Sequence, residues 1–268
     1  MIDKHIYFSV IVVSLNTKEK LRNTLESIYK QKINLENYEI IVVDGMSIDG
    51  TQEEILKKDN KIDKLIIEKD TGIYDAMNKG IKYAKGEWII FLNSGDLFYN
   101  NYVLKKIYSC KINENDIIYG DTIVDNKKFL YRVNGKLFNE NSINIPFCHQ
   151  SCFVKTNILK KNNFDLKYKI CSDFNFFTKI YKKKKLFKKI DLIISIVEAG
   201  GLSDKNRFTA FAENVKIVFR NTLSLKNFLK ITYFFLFQLI SQLVKFFLPN
   251  IIINKILRKK YKKDIINL

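Results

Sequence analysis

The stretch that best predicts the fold of this chain reads DTGIYDAMNKGIKYAKGEWIIFLNSGD and runs from Asp70 to Asp96. Its apolar residues recur at helical spacing over residues 74–84 and then form an unbroken run over residues 88–92. A helix followed at once by a short, fully apolar strand is typical of parallel sheets that are covered by helices on both faces. The stretch therefore predicts a helix, a buried strand and a polar turn after it.

The same alternation extends towards the N-terminus. Apolar runs predict further strands at residues 6–13, 39–43 and 65–67. Apolar residues at helical spacing fill the gap between the first two runs, and Thr51-x-x-Glu54 has the form of a capping box that opens another helix. We therefore predict an α/β fold with a mostly parallel sheet flanked by helices and a Rossmann-like first half.

After Asp96 the pattern is less regular, and the first domain is predicted to end near residue 225. Apolar runs indicate strands at 115–119, 129–133 and 192–197, and helical spacing indicates helices at 174–181 and 208–219. An apolar share of 47% excludes a disordered chain, and 10 Gly with 2 Pro exclude a collagen-like one. The length of 268 residues is enough for one large domain with an appendage.

The positive charge is concentrated in the second half of the chain. Residues 1–150 carry 21 basic and 21 acidic side chains, whereas residues 151–268 carry 25 basic and 7 acidic ones. The whole net charge of +18 therefore belongs to the second half. Such a division indicates that one half faces an anionic partner, either a membrane surface or a nucleic acid.

The four cysteines, Cys110, Cys148, Cys152 and Cys171, are too few for a disulfide framework and are predicted to be reduced. Cys148, His149 and Cys152 lack the second ligand pair that a zinc site needs. The N-terminus has no basic region, long apolar stretch or small-residue cleavage site of a leader peptide. We therefore expect the protein in the cytosol or on the inner face of the membrane.

Ligands of parallel α/β sheets bind beyond the carboxyl ends of the strands. The polar segments at these predicted ends are residues 14–16, 44–47, 70–72 and 93–96. Asp44 follows a buried strand, where a carboxylate can accept hydrogen bonds from a base or a ribose. Asp49, Gly50 and Thr51 are interpreted as a turn and a helix cap.

Three further side chains each allow two interpretations. Asp96 can bind Mg²⁺ or Mn²⁺ together with phosphate oxygens, or it is an aspartate in a glycine turn. Asp173 either caps a helix or serves as a general base. His149 is either a ligand of a metal or phosphate, or a structural histidine.

The motifs VVDGMSIDGT (residues 42–51), DTGIYDAMNKGI (70–81) and AKGEWIIFLNSGD (84–96) occur in this order. His149-Gln150, Ser172-Asp173 and the loop from Gly200 to Ser203 follow them. Together they resemble family 2 glycosyltransferases over residues 6–205, and most closely the bacterial surface-polysaccharide branch of the colanic acid, capsule and O-antigen type. The resemblance implies a GT-A fold and inverting transfer of a hexose from a nucleotide-diphosphate sugar, with UDP-sugars favoured.

The resemblance also implies a role for each matching residue. Residues 1–98 become the nucleotide-binding half and residues 99–225 the acceptor half. The implied donor-binding residues are Ser14, Asn16 and Asp44 at the base, Asp75 and Lys79 beside the nucleotide, and Asn93 and Asp96 in the acidic motif. Asp173 becomes the catalytic base, and Gly200, Gly201 and Ser203 belong to an acceptor-side loop.

The acidic motif departs from the pattern of the family. Many relatives have Asp-x-Asp-Asp where this chain has Asn93-Ser94-Gly95-Asp96, so that one carboxylate of three remains. We therefore expect Mg²⁺ or Mn²⁺ to arrive with the diphosphate and to be held by Asp96 and His149.

Residues 226–268 are predicted to form basic amphipathic helices that associate with a membrane. The uncharged stretch 231–244 is about 21 Å long as a helix, short of a hydrocarbon core of about 30 Å. As a helix, the longer segment 228–248 has a polar arc that comprises Lys230, Gln238, Ser241, Gln242 and Lys245, and six basic residues follow between Lys255 and Lys263. This pattern favours an interfacial helix near an anionic surface and a lipid-linked glycan acceptor. The alternatives are packing as ordinary core and a membrane-spanning helix.

Three other functions compete with sugar transfer. A nucleic-acid-binding protein is disfavoured because the basic residues are not interleaved with aromatic residues in a recognisable motif. A sugar nucleotidyltransferase uses similar substrates but releases pyrophosphate. A catalytically inactive scaffold is compatible with the depleted acidic motif.

Overall fold

The computed structural model describes residues 5–34, 37–57, 61–110, 114–139 and 142–221, and beyond them residues 229–234 with scattered positions up to 266. The described residues form one mixed sheet with helices on both faces. The strands are β1 (Phe8–Ser14), β2 (Tyr38–Asp44), β3 (Lys64–Ile67), β4 (Trp88–Phe91), β5 (Leu97–Phe98), β6 (Ile117–Asp125), β7 (Leu130–Val133), β8 (Cys152–Lys155), β9 (Phe187–Glu198) and β10 (Ile265–Ile266).

The sheet has the order β10-β7-β6-β8-β4-β1-β2-β3. Strands β3, β2, β1 and β4 are mutually parallel, as predicted. β8 lies antiparallel to both β4 and β6, and β9 runs parallel to β6 and pairs with β5. All seven residues of β1 and of β2 are buried, which explains why their sequences are unbroken apolar runs.

The helices are α1 (Lys18–Tyr29), α2 (Thr51–Ile55), α3 (Ile73–Tyr83), α4 (Val103–Ser109), α5 (Thr156–Lys161), α6 (Ser172–Lys182), α7 (Leu202–Lys205) and α8 (Arg207–Asn221). Two core layers result from their placement on opposite faces of the sheet. One contains Leu21 of α1 and Leu104 of α4, and the other contains Met77 of α3 and Phe176 of α6. The predicted α/β fold is confirmed.

The capping box predicted at Thr51 is wrong, although α2 does begin at this residue. Gly50, in the left-handed region with φ 87°, precedes the helix, and the Thr51 hydroxyl donates a hydrogen bond to Asp49. Glu54 instead forms ion pairs of 2.7 Å with Arg22 and with Lys57. Charge-assisted hydrogen bonds to two cations are stronger than one bond to a neutral amide, so Glu54 turns away from the start of the helix.

The C-terminal residues return to the sheet. β10 pairs antiparallel with β7, and the rings of Tyr131 and Tyr261 stack with their centroids 4.0 Å apart. Residues 229–234 are helical, and Ile231 is buried in the core layer that contains Ile217 of α8. The predicted domain boundary near residue 225 lies outside the described residues. Among the helices that the structure describes, none is long and apolar enough to cross a bilayer.

We expect that Gly86→Ala destabilises the fold by about 2 kcal/mol or more, because overpacking against rigid neighbours is costly. A Cβ atom at Gly86 lies 2.5 Å from the carbonyl carbon of Phe8 and 2.6 Å from the amide nitrogen of Ser9. These backbone atoms belong to the start of β1 and cannot move without breaking its pairing. Urea denaturation measures the change.

Gly201→Ala is the control for this substitution, because a Cβ atom at Gly201 meets no heavy atom within 4 Å and φ is −62° there. Its free energy of unfolding is expected to stay within about 0.5 kcal/mol of wild type. Equal destabilisation by both substitutions argues against the close approach at Gly86.

Candidate active site at the carboxyl ends of the parallel strands

Hydrogen bonds that start at Asp44 join the loop after β2 to the loop after β1. This carboxylate is fully buried and accepts hydrogen bonds from the Ser47 amide at 2.8 Å and the Ser47 hydroxyl at 2.5 Å. The Ser47 hydroxyl in turn accepts a hydrogen bond of 2.7 Å from the backbone amide of Asn16. The backbone amide of Ile48 donates to the side-chain Oδ1 atom of Asn16 at 2.9 Å. Ser14 is 2.9 Å from the hydroxyl of Thr17. Ser14 also stands opposite Asp44 in the pairing of β1 with β2, so Asp44, Ser14 and Asn16 form one cluster, as the carboxyl ends of neighbouring strands predict.

Two residues of these loops adopt left-handed backbone conformations, Asn16 with φ 51° and Met46 with φ 66°. Such conformations cost energy and are common where loops shape a binding site. Beside them the side chains of Leu15 and Ile48 are exposed, Ile48 at 92%. Apolar side chains in solvent at this edge offer a surface on which a planar base can pack.

Asp75 and Lys79 lie one turn apart on α3, at the edge of the same loop region. The Thr71 amide donates to Asp75 Oδ2 at 3.0 Å. The ammonium of Lys79 lies 3.7 Å from that oxygen and donates to the Lys69 carbonyl at 2.7 Å. Both charged groups lie near the start of α3, and the Lys79 side chain is partly exposed at 21%.

Asp96 sits in the turn after β4 and is only 8% exposed. The backbone amide of Asn93 donates a hydrogen bond to Asp96 Oδ2 at 3.0 Å. Burial raises the pKa of Asp96 to about 6, and the negative charge of Glu198 contributes in the same direction. His149, the Asn93 amide and Gln150 oppose the rise, so these groups surround the carboxylate.

Asp173 lies in the first turn of α6 and faces His149. The Nδ1 atom of His149 is 3.1 Å from Asp173 Oδ2, and the Phe174 amide donates to Asp173 Oδ1 at 2.8 Å. The residue in the N-cap position is Cys171, so Asp173 does not occupy that position itself. Burial, followed by the negative charge of Asp173, raises the pKa of Tyr74 well above its usual value, which places this phenol beside the carboxylate.

The structure therefore brings Asp96, His149 and Asp173 together, although they are far apart in the sequence. The predicted acceptor-side residues Gly200 and Gly201 lie in an exposed loop after β9, and Ser203 is exposed in α7, which follows this loop. The Gly200 amide donates a hydrogen bond to Asp204 Oδ2 at 3.2 Å. The backbone of Gly200 is in the left-handed region, with φ 83°.

Sequence reasoning missed Glu198, Gln150 and Tyr74 as neighbours of the site. Glu198 ends β9 and pairs with Lys20 of α1 while its charge acts on Asp96. It follows the same rule as Asp44, since it stands at the carboxyl end of a strand, but the direction of β9 is not visible in the sequence. Gln150 and Tyr74 carry no sequence signal beyond their places next to His149 and Asp75.

Two buried polar atoms beside Asp96 are compatible with a divalent ion. Asn93 Oδ1 and His149 Nε2 have no hydrogen-bond partner among the described residues. In that part of the chain, however, no three His, Cys, Asp or Glu side chains group closely enough to hold a metal. The residues therefore fit an ion that brings phosphate oxygens as further ligands, rather than an ion held by the protein alone.

Comparison with known proteins gives the class of this protein. The profile described as "Glycosyl transferase family 2" matches residues 9–188. A "PGL/p-HBAD biosynthesis glycosyltransferase" of Mycobacterium bovis is 30% identical over 209 residues, which are 74% of this chain and 79% of that protein. The "Poly(ribitol-phosphate) beta-N-acetylglucosaminyltransferase TarP" of Staphylococcus aureus is 32% identical over 123 residues, which are 44% of this chain and 37% of that protein.

Solved structures agree at the level of the fold. S. aureus TarS 1-349 in complex with UDP-GlcNAc matches with a TM-score of 0.64 at 20% identity, covering 82% of this chain and 68% of that one. The mannosyltransferase PcManGT from Pyrobaculum calidifontis, solved with GDP-Man and Mn²⁺, matches with a TM-score of 0.63 at 15% identity, covering 85% and 68%.

The chain belongs to glycosyl transferase family 2 and is a glycosyltransferase with a GT-A fold. The family, the fold and the enzyme class that the sequence predicts are thus confirmed. The surface-polysaccharide branch, the division of the chain into halves and the roles of individual residues stay predictions.

Proposed function

We propose that this enzyme transfers a hexose, with inversion, from a nucleotide-diphosphate sugar to a hydroxyl group of a lipid-linked surface-polysaccharide intermediate. The observation that carries the proposal is the group formed by Asp96, His149 and Asp173 at the carboxyl ends of the parallel strands. One carboxylate pairs with an imidazole and the other is buried nearby. In this arrangement Asp173 can take a proton from the acceptor, and Asp96 faces the leaving diphosphate.

In the proposed reaction, Asp173 Oδ2 takes the proton of the acceptor hydroxyl. The acceptor oxygen then bonds to the anomeric carbon from the side opposite the diphosphate. The bond between that carbon and the phosphate oxygen breaks, and its electron pair leaves with the nucleoside diphosphate. His149, whose Nδ1 atom is 3.1 Å from Asp173 Oδ2, orients the carboxylate for this step.

The donor is proposed to bind along the cluster of Asp44, Ser14 and Asn16, with Asp75 and Lys79 beside the nucleotide. Asp96, Asn93 and His149, together with the diphosphate, would hold Mg²⁺ or Mn²⁺, and such an ion would neutralise charge on the leaving group. UDP-sugars are the first candidates, because TarS is described in complex with UDP-GlcNAc. GDP-Man, described with PcManGT, is the second.

A thermal-shift screen tests donor binding. UDP-, GDP- and dTDP-sugars are added at saturating concentration to the full chain with Mn²⁺, and again with a chelator in place of the metal. We expect one nucleotide to raise the melting temperature by about 3–8 °C with Mn²⁺ and by much less with the chelator. No shift with any nucleotide sugar contradicts the proposed donor class.

We further propose that the protein is peripheral on the inner face of the cell membrane. Five exposed apolar side chains recur at helical spacing in the C-terminal segment: Leu229, Tyr233, Leu236, Phe237 and Ile240. Exposed basic residues accompany them, among them Lys230, Lys255, Arg258 and Lys259. An apolar face beside cations suits the anionic cytoplasmic leaflet, where a lipid-linked acceptor is within reach.

Flotation with anionic liposomes tests the location. The triple substitution of Tyr233, Phe237 and Ile240 by Ser is expected to weaken binding at least about 10-fold, because it removes most of the exposed apolar face. Point substitutions are preferable to truncation, since truncation also removes β10 from the sheet. Leu137, Leu166 and Leu186, equally exposed but elsewhere, are replaced by Ser as the control. Equal flotation of both triple variants contradicts the proposal.

A further inference from the structure

Glu213 of α8 binds three consecutive backbone amides just before α6. The amide of Lys169 donates to Oε1 at 2.8 Å, and those of Ile170 and Cys171 donate to Oε2 at 2.9 Å and 2.8 Å. The glutamate is 9% exposed, so these bonds are shielded from water. Both oxygens of one carboxylate are therefore used to hold the segment that leads into α6.

This segment ends two residues before Asp173. Cys171 is the N-cap of α6, and its thiol also donates to the Ala210 carbonyl of α8 at 3.4 Å. Bonds from backbone amides to a carboxylate are charge-assisted and short, so they fix position more firmly than neutral bonds do. A negative charge at the start of a helix is also favoured by the helix dipole.

The same segment is held from a second side. The Tyr74 hydroxyl of α3 donates to the Ile170 carbonyl at 2.7 Å. Glu213 and Tyr74 thus bind opposite polar groups of the Ile170 backbone, its amide and its carbonyl, just before α6.

We propose that Glu213 is a positioning residue for the catalytic base Asp173. It touches neither donor nor acceptor, and it acts through the backbone at residues 169–171. The inference rests on the proposed role of Asp173 and adds a residue on a different helix, one that the sequence motifs do not include. A base displaced by a fraction of an ångström loses a large part of its effect, because transfer of the acceptor proton depends on geometry.

A purely structural role is the rival explanation, and Glu39 of β2 provides a matched control. Glu39 is 4% exposed and its Oε1 atom also accepts three bonds: from the Ser9 hydroxyl at 2.6 Å, the Lys85 amide at 2.5 Å and the Gly86 amide at 3.1 Å. It stands at the start of β2, at the opposite end of the sheet from the site. Glu39→Ala removes a buried carboxylate with three donors without touching α6.

The experiment compares Glu213→Ala with Glu39→Ala in the full chain, well below the melting temperature of either. Turnover is measured as nucleoside diphosphate released from the best nucleotide sugar, and the stoichiometry of UDP binding gives the folded fraction. For Glu213→Ala we expect kcat to fall at least about 10-fold while the donor KM and the UDP affinity stay within about 2-fold. For Glu39→Ala we expect kcat within about 2-fold, despite a comparable loss of melting temperature.

A second measurement does not depend on activity. The chain has two histidines, so the ring signals of His149 and His5 can be assigned by NMR. We expect the His149 signal to move in Glu213→Ala and to stay in place in Glu39→Ala, with exposed His5 as the internal reference. If Glu213→Ala does not fold, Glu213→Gln, which keeps the volume and one acceptor oxygen, takes its place with the same expected direction.

Unchanged kcat, or an unmoved His149 signal, in a folded Glu213 variant overturns the positioning role. Parallel losses of kcat in the Glu213 and Glu39 variants overturn it as well, because they trace the effect to stability. A wild-type protein that is inactive with every nucleotide sugar, yet whose His149 signal responds to Glu213→Ala alone, contradicts the proposed function and leaves the link between Glu213 and Asp173 supported.

Discussion

Asp173→Asn is expected to lower turnover at least about 100-fold while leaving the fold intact. The amide keeps the shape of the side chain and an oxygen that can accept the Phe174 hydrogen bond of 2.8 Å. It cannot take a proton from an acceptor hydroxyl, and it loses the charge that faces His149 at 3.1 Å. A positioned general base contributes about 10²–10⁴-fold to rate, which sets the size of the loss.

Steady-state release of nucleoside diphosphate measures this effect, and UDP affinity serves as the check on folding. Asp165→Asn is the control, because Asp165 lies outside the group at His149, and its carboxylate is 3.6 Å from Lys179. Its kcat is expected to stay within about 3-fold of wild type. Normal turnover by Asp173→Asn removes Asp173 from the role of base.

Asp96→Asn is expected to abolish transfer and, at the same time, to make the protein more stable at pH 8. Burial raises the pKa of Asp96 from 3.8 to about 6, so the ionised form is disfavoured in the folded state. Between those pH values the folded protein binds more protons than the unfolded chain, and stability falls as the pH rises. Well above pH 6 the folded protein bears the full free-energy cost of burying an ionised Asp96, and a neutral Asn avoids this cost.

The free energy of unfolding of Asp96→Asn is expected to exceed that of wild type by about 1–3 kcal/mol at pH 8. Near pH 4, where wild-type Asp96 is protonated, the difference is expected to be close to zero. Urea denaturation of the metal-free protein at both pH values measures it. Asp191→Asn is the control. That side chain is 94% exposed, so the substitution is expected to change the free energy of unfolding little at either pH. Lower stability of Asp96→Asn than wild type at pH 8 contradicts the assigned environment of this carboxylate.

The local pattern of the sequence predicts the nucleotide-binding part of the fold well. β1, β2, β3, β4 and α3 lie within two residues of their predicted ends, because a strand buried on both faces leaves an unbroken apolar run. The rule that carboxyl ends of parallel strands meet correctly groups Asp44 with Ser14 and Asn16. Asn93 and Asp96 follow the adjacent strand β4.

The second half of the fold depends on contacts between distant segments, which local patterns do not contain. β6 extends to Asp125 and β9 begins at Phe187, both beyond their predicted ends, because each is completed by pairing with the other. The pairing of β10 with β7 likewise joins residues more than a hundred positions apart. Strand pairing of this kind is decided by tertiary context rather than by propensity.

The two interpretations of Asp173 illustrate the same limit at the site. Its position at the start of a helix is readable from the sequence, but the facing imidazole of His149 comes from the segment before β8. Glu213 is invisible for a similar reason, since a lone glutamate in an amphipathic helix is typical of a solvated face. Only the fold shows that it turns inward to three amides.

Product analysis tests the central claim most directly. The full chain is incubated with Mn²⁺ and the nucleotide sugar that gives the largest thermal shift, with water as the acceptor. The nucleotide is then identified by anion-exchange chromatography, and the first-formed anomer of the sugar by NMR. We expect a nucleoside diphosphate and a sugar of inverted anomeric configuration, both lost in Asp173→Asn. Release of a nucleoside monophosphate together with a sugar 1-phosphate, or retention of configuration, contradicts the account.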